Sequence, residues 1–293
     1  MEFVTLIRVH RETKPRNLCI QSDRSPRRIN VNTDRMPALF LGHGSPMNVL
    51  EENLFTARWQ QLGQQLPRPK GIIAISAHWY GKGTAVTAME NPRTIHDFGG
   101  FPQALFDTHY PAPGSPQLAT RIAEALSPLE VQLDQRWGLD HGTWGVLIKM
   151  YPQADIPVVQ LSIDSTQPAA AHFAIGRRLS ALRDEGYMIV ASGNVVHNLR
   201  KMRWQEDAEA WPWATAFNQY VKEHLDWQGE EHPLINFEHH QAAELANPTP
   251  EHFLPLLYVL GSRYEHEPIS MPIDGIVMGA ISMLSVVIGK QNR

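Results

Sequence analysis

The chain has 293 residues, a formal net charge of −4 at pH 7 and a single cysteine, Cys19. That length suffices for one large α/β domain, and no Ser/Gly-rich linker divides it. The mild acidity and the lack of a basic stripe argue against nucleic acid as a partner. One cysteine excludes an internal disulfide and a thiolate metal cluster, so any metal must be held by nitrogen and oxygen.

Residues 1–35 carry Arg8, Arg11, Lys14, Arg16, Arg24, Arg27, Arg28 and Arg35 but no apolar secretory core. They read as a basic, disordered arm ahead of a catalytic domain over 36–293. Beyond Met36, short apolar runs alternate with amphipathic stretches, the pattern of a layered α/β fold with mainly buried strands. Strands are expected over 38–42, 71–76, 157–163 and 187–192. Leu118, Ile122, Ala125 and Leu126 share one face of a helix over 115–126, and a further helix is expected over 213–227. The last helix is expected to start at Asn247-Pro248-Thr249-Pro250-Glu251-His252, with Thr249 as N-cap and Pro250 as its first residue. Phe253, Leu256, Leu257 and Leu260 would then face the core. His252 would sit in the first turn, where the helix dipole opposes protonation and keeps the imidazole free for a metal. The apolar run 275–289, interrupted by Ser282 and Ser285, is too short to span a bilayer comfortably and reads as core strand of a cytoplasmic protein.

Among the 14 histidines, position says more than number. His43, His78 and His197 each follow an expected strand, and ligand sites of open α/β sheets form beyond the carboxyl ends of strands. His252 could point into the same crevice, and His141 sits at another turn-to-helix junction. Gly42 and Gly44 around His43 suggest a backbone bent tightly around a ligand. His96 and His109 frame Asp97-Phe98-Gly99-Gly100-Phe101-Pro102, a lid or pocket wall. His10, His172, His224 and His266 need no functional reading. His232, His239 and His240 read as solvated, although His239-His240 could compete with His252 as a ligand. Ser45, beside His43, is too close in sequence to form an oriented nucleophile–base pair. No nucleophile elbow, P-loop, dinucleotide fingerprint or H-E-x-x-H helix occurs.

Six motifs carry a resemblance over residues 36–293: Gly42-His43-Gly44-Ser45-Pro46, Ser76-Ala77-His78-Trp79, Asp97-Phe98-Gly99-Gly100-Phe101-Pro102, Asp140-His141-Gly142, Gly193-Asn194-Val195-Val196-His197-Asn198, and Asn247-Pro248-Thr249-Pro250-Glu251-His252. Together they resemble the class III extradiol ring-cleaving dioxygenases of the LigB superfamily, of the DODA type that opens 4,5-dihydroxyphenylalanine. The resemblance implies a single three-layer α/β/α domain around a mixed sheet. It implies one divalent metal near His43, His78 and His252, with His197 as a further ligand or the acid/base and His141 as the other proton-transfer candidate. Many extradiol enzymes use two histidines and a carboxylate for ferrous iron; here the third position falls on His252, with Glu251 beside it, and an all-nitrogen site suits Zn(II) as well as Fe(II). The expected partners are a small catechol and dioxygen, with Phe98, Phe101 and Trp79 walling the ring. Zinc-dependent hydrolysis and a non-catalytic binding module on the same fold are the alternatives.

Overall fold

The computed structural model describes residues 35–290, all within one compact unit. Its strands are β1 (Ala38–Gly42), β2 (Gly71–Gly81), β3 (Thr84–Thr87), β4 (Val131–Asp134), β5 (Val158–Asp164), β6 (Tyr187–Gly193), β7 (Ile269–Ile273), β8 (Ile276–Val277), β9 (Ile281–Ser282) and β10 (Ser285–Ile288). Its helices are α1 (Leu54–Gln65), α2 (Gln103–Phe106), α3 (Pro116–Leu126), α4 (His141–Met150), α5 (Ala169–Asp184), α6 (Pro212–His224), α7 (Ala243–Ala246) and α8 (Leu254–Gly261). Eight strands form one mixed sheet in the order β4-β3-β5-β2-β6-β1-β10-β7, and β8 and β9 form a separate antiparallel pair. At its centre β5, β2, β6 and β1 run parallel, so their carboxyl ends share one edge.

The two-residue period of a strand builds the layers. On β1, Ala38 and Phe40 join a core with α3, α5, α6 and α8, whereas Leu39 and Leu41 join a second core with α1 and α4. Ile73 and Ile75 of β2 go to the first and Ile72 and Ala74 to the second. Strands buried on both faces read as continuous apolar runs, which is why the four central strands are legible in the sequence.

The helix expected over 213–227 ends at His224 and the apolar run 275–289 is divided among β8, β9 and β10, but two other shifts bear on the site. β2 continues past Ser76 to Gly81, with its register against β5 broken between Ile75 and Tyr80. His78 therefore lies inside an irregular part of the strand, not after it. The last helix starts later than its caps suggest. Residues Pro250–His252 form a 3-10 turn, Thr249 makes no capping bond, and its hydroxyl reaches Glu251 Oε1 at 2.8 Å. Pro255 explains the break: it has no N–H to continue an α-helical ladder back through His252.

The whole of α8 is buried, not one stripe of it, because it lies between α5 and the sheet. Glycines permit this: a β-carbon at Gly176 would come 2.2 Å from Tyr258 O, and one at Gly261 would come 2.1 Å from Phe173 O. The expected arm over residues 1–35 lies outside the described residues except for Arg35, which pairs with Asp184 at 2.9 Å and stacks 3.5 Å over Tyr264. Among the described residues no helix is long and apolar enough to cross a membrane. Gly176→Ala is expected to push α5 and α8 apart and to cost about 1–3 kcal/mol; an unchanged urea midpoint would show that the crossing has slack.

Candidate active site

Five histidines meet at the carboxyl edge of the central strands. His43 follows β1, and its main-chain N–H donates to Gly193 O at 3.1 Å. His78 projects from the irregular end of β2. His197 lies just beyond β6, tied by its N–H to Ala246 O at 2.8 Å. His141 is the first residue of α4, whose N-cap Asp140 accepts from Thr143 N–H. His252 ends the 3-10 turn, and its carbonyl accepts from Asn194 N–H at 2.9 Å. Gly193 makes that approach feasible, since a β-carbon there would lie 2.2 Å from His252 O.

The rings crowd together. Centroid distances are 5.1 Å for His43–His78, 4.0 Å for His78–His141, 5.4 Å for His43–His252 and 5.2 Å for His78–His252. His197 lies parallel on His252, with centroids 3.5 Å apart and planes 6° from parallel. Outer groups fix most of these rings. His43 Nδ1 is 2.7 Å from Ser192 Oγ, and His252 Nδ1 is 3.2 Å from Glu251 Oε1. Asp97 serves two rings: Oδ2 lies 3.2 Å from His78 Nδ1, and Oδ1 lies 3.0 Å from His141 Nδ1 while accepting the His141 main-chain N–H. At His43 and His252 such a partner sets tautomer and orientation and leaves the opposite nitrogen for a ligand; the Asp97 approach to His141 Nδ1 is close but makes no hydrogen bond. His78 Nε2 and His43 Nε2 do face each other, at 3.3 Å, and His252 Nε2 is buried with no hydrogen-bond partner. Among the described residues, His43, His78 and His141 offer ligand nitrogens that all lie within 4.8 Å of one another and could hold a metal ion.

Burial, reinforced by neighbouring imidazoles, holds His43 and His252 well below the usual range. Burial likewise lowers His78 to about 3 and His197 to about 4. These rings are neutral at pH 7, as metal binding requires. For His252 the cause is desolvation and crowding, not the expected dipole of a helix that in fact begins two residues later. Burial raises the Asp140 carboxyl to about 6. Burial also pushes Asp97 upward, but His141 and His78 outweigh it and lower its pKa.

The histidines line a cavity of about 590 Å³, walled by Phe98, Phe101, Val277, Ile281 and Met283. Phe98 meets Phe101 and His141 edge-on, with centroids 5.5 Å away in both cases. Trp79 does not wall the cavity: the strand alternation turns it away from His78, and it stacks on Trp137 at 5.2 Å. Gly42 and Gly44 make room for Met283, since β-carbons there would come within 2.7 Å of its backbone and 2.6 Å of its sulfur, respectively, and Gly44, at a φ of +61°, also lines the cavity. Ser45 Oγ accepts from Met47 N–H. His232, expected to be solvated, is buried, and its Nδ1 accepts from Leu234 N–H. His240 stacks on Tyr220, and neither it nor His239 lines the cavity. Asp97, Ser192 and Glu251 had no assigned orienting role in the sequence; a carboxylate or hydroxyl on an adjoining motif was the only available signal.

The profile of the family described as the catalytic LigB subunit of aromatic ring-opening dioxygenase matches residues 37–272. The chain belongs to this family. It is a ring-opening dioxygenase by that membership. It is 66% identical over 264 residues to the 4,5-DOPA dioxygenase extradiol of Escherichia coli K12, covering 89% of this chain and 97% of that one. The protein of the same name from Beta vulgaris is 36% identical over 249 residues, covering 82% of this chain and 92% of the relative. A crystal structure of an uncharacterized protein from Escherichia coli K12 matches with a TM-score of 0.79 and 62% identity, covering 87% of this chain and all of that one.

The neutral histidines give the metal-free dioxygenase a pH signature. Between about pH 4 and pH 6.5 the unfolded chain protonates His78 and His197 while the folded chain does not, so stability rises with pH and falls on acidification. Urea midpoints across this window are expected to drop as pH falls, with a shallower slope in His197→Gln; equal slopes would show that His197 is not held neutral.

Proposed function

We propose that this enzyme opens the ring of a catechol such as 4,5-dihydroxyphenylalanine with dioxygen at one divalent metal, giving a muconic semialdehyde. The carbon–carbon bond beside the diol breaks and both oxygen atoms enter the product: the hydroxylated carbon becomes a carboxylate and its neighbour an aldehyde. The observation that carries the reading is the convergence of buried, neutral imidazoles at the inner end of a cavity walled by Phe98 and Phe101.

The residues fit a metal. The facing Nε2 atoms of His43 and His78 and the orphaned Nε2 of His252 are donors without a sufficient protein acceptor. We assign His43, His78 and His252 as ligands, with His141 as the competitor for the third place because its nitrogen groups tightly with the first two. Bound there, ferrous iron would supply the redox chemistry that lets dioxygen react with a catecholate, which zinc would not. His197 lies parallel on His252. The in-plane lone pairs of two stacked, parallel rings lie in separate parallel planes and cannot both point straight at one ion, which supports His197 as the proton carrier. Held neutral, it can take a catechol proton and return it later. Asp97 orients His78 and His141 together, and Phe98 and Phe101 exclude water around the substrate ring.

Anaerobic loading with Fe(II), followed by air and a catechol panel, is expected to give one dioxygen consumed per catechol and a yellow semialdehyde. No oxygen uptake with any catechol would overturn the assignment, and full turnover by rigorously iron-free zinc protein would overturn the choice of metal.

His197→Ala is expected to keep its metal and to lose roughly 10²–10⁴-fold in turnover. His252→Ala is expected to lose metal directly, and His141→Ala to retain it. Metal content measured in the three variants decides the ligand set, and metal loss from His197→Ala would make His197 a ligand.

A further inference from the structure

The inner end of the cavity is set for a diol, but its outer part carries charge of one sign. Glu51 and Glu206 line it and are exposed, whereas among the described residues no lysine or arginine does. Neither carboxylate has a hydrogen bond or an ion pair among the described residues. Nearby cations are engaged elsewhere: Lys149 donates to the Glu52 carboxylate and the Glu51 carbonyl, and Arg203 stacks 4.0 Å over Trp211 while donating to Glu209 O. Leu199 and Met202 line the cavity, but Arg200 and Lys201 between them do not. Trp204 also lines it and is 86% exposed, an unusual cost for an indole without a partner. That this cavity takes a ligand stands on other ground, since it contains the buried, unpartnered Nε2 of His252.

From this we infer that the cavity selects catechols by the charge of their side chain, taking those with an ammonium group over those with only a carboxylate, through Glu51, Glu206 and Trp204. An ammonium group finds two free carboxylates and an indole face there, the combination that attracts organic cations. A carboxylate finds repulsion and no cation to offset it, and rejection by unmatched charge is as effective a source of specificity as attraction. Each exposed contact is individually weak, so the expected discrimination is modest, about 10-fold, and screened by salt.

The inference rests on the ring-opening reading but is separable from it. Three probes of similar size differ in charge: dopamine, 4-methylcatechol and 3,4-dihydroxyphenylacetate. In the iron-loaded enzyme, kcat/KM for dopamine is expected to exceed that for the acid about 10-fold, with 4-methylcatechol between them. The ratio is expected to shrink at high salt and to fall several-fold in E51Q/E206Q, an exposed pair whose loss leaves the core untouched. Equal ratios for dopamine and the acid, or a ratio unmoved by the double substitution, would overturn the inference while leaving ring opening intact. If none of the three is cleaved, dissociation constants by calorimetry on the same protein still read the selectivity, and the ring-opening reading fails only if 4,5-dihydroxyphenylalanine is not opened either. A dopamine affinity no greater than that of the acid would overturn the inference there as well.

Discussion

Everything at this site depends on packing five imidazoles side by side while burial keeps His43, His78, His197 and His252 uncharged. A proton on any of these four would meet repulsion and an uncompensated loss of solvation, so the cluster is tolerable only while they stay neutral. Neutral rings each keep a lone pair, and those lone pairs need somewhere to go. The protein fastens the outer nitrogens to Ser192, Asp97 and Glu251 and leaves inner nitrogens facing one another or facing nothing. The same desolvation that makes the cluster costly suits it to hold a metal ion.

The sheet delivers these rings by a simple device. β2, β6 and β1 are adjacent and parallel, so the residues at their carboxyl ends emerge side by side although they are distant in sequence. The two helical layers contribute one ring each: α4, on one face of the sheet, begins with His141, and the turn before α8, on the other face, ends with His252. Close packing transmits this arrangement. Gly193 lets the His252 turn rest on the end of β6, and Gly176 and Gly261 let α8 settle deeply enough between α5 and the sheet to carry that turn into place. Substitutions far from the cavity can therefore misplace a ligand.

Family membership and the cavity agree on chemistry but address different parts of it. The histidines and the Phe98–Phe101 wall belong to the diol and to oxygen, which all ring-opening relatives must handle. The outer cavity, with Glu51, Glu206 and the exposed Trp204, meets the substituent of the ring. Weak, exposed interactions suffice there because, in the proposed reading, they only bias which catechol enters, while the reaction is assigned to the buried nitrogens.

The sequence by itself determined the central strands and the layered class, and it singled out the five histidines that the structure brings to one cavity. Double-sided burial writes each central strand as an unbroken apolar run, and parallel strands place whatever follows them on one edge. It also sorted His172 and His224 correctly from the site. It did not reveal that His78 lies within β2, that Trp79 faces away, that His232 is buried or that Pro255 delays α8, because these follow from register breaks and ladder gaps that neighbouring strands and helices impose. Above all, tertiary structure decided which nitrogens meet. Asp97 reaching His78 and His141 together, and His197 lying flat on His252, are relations between residues 19 to 55 positions apart; no local spacing encodes them, since they arise only when the two layers close on the sheet.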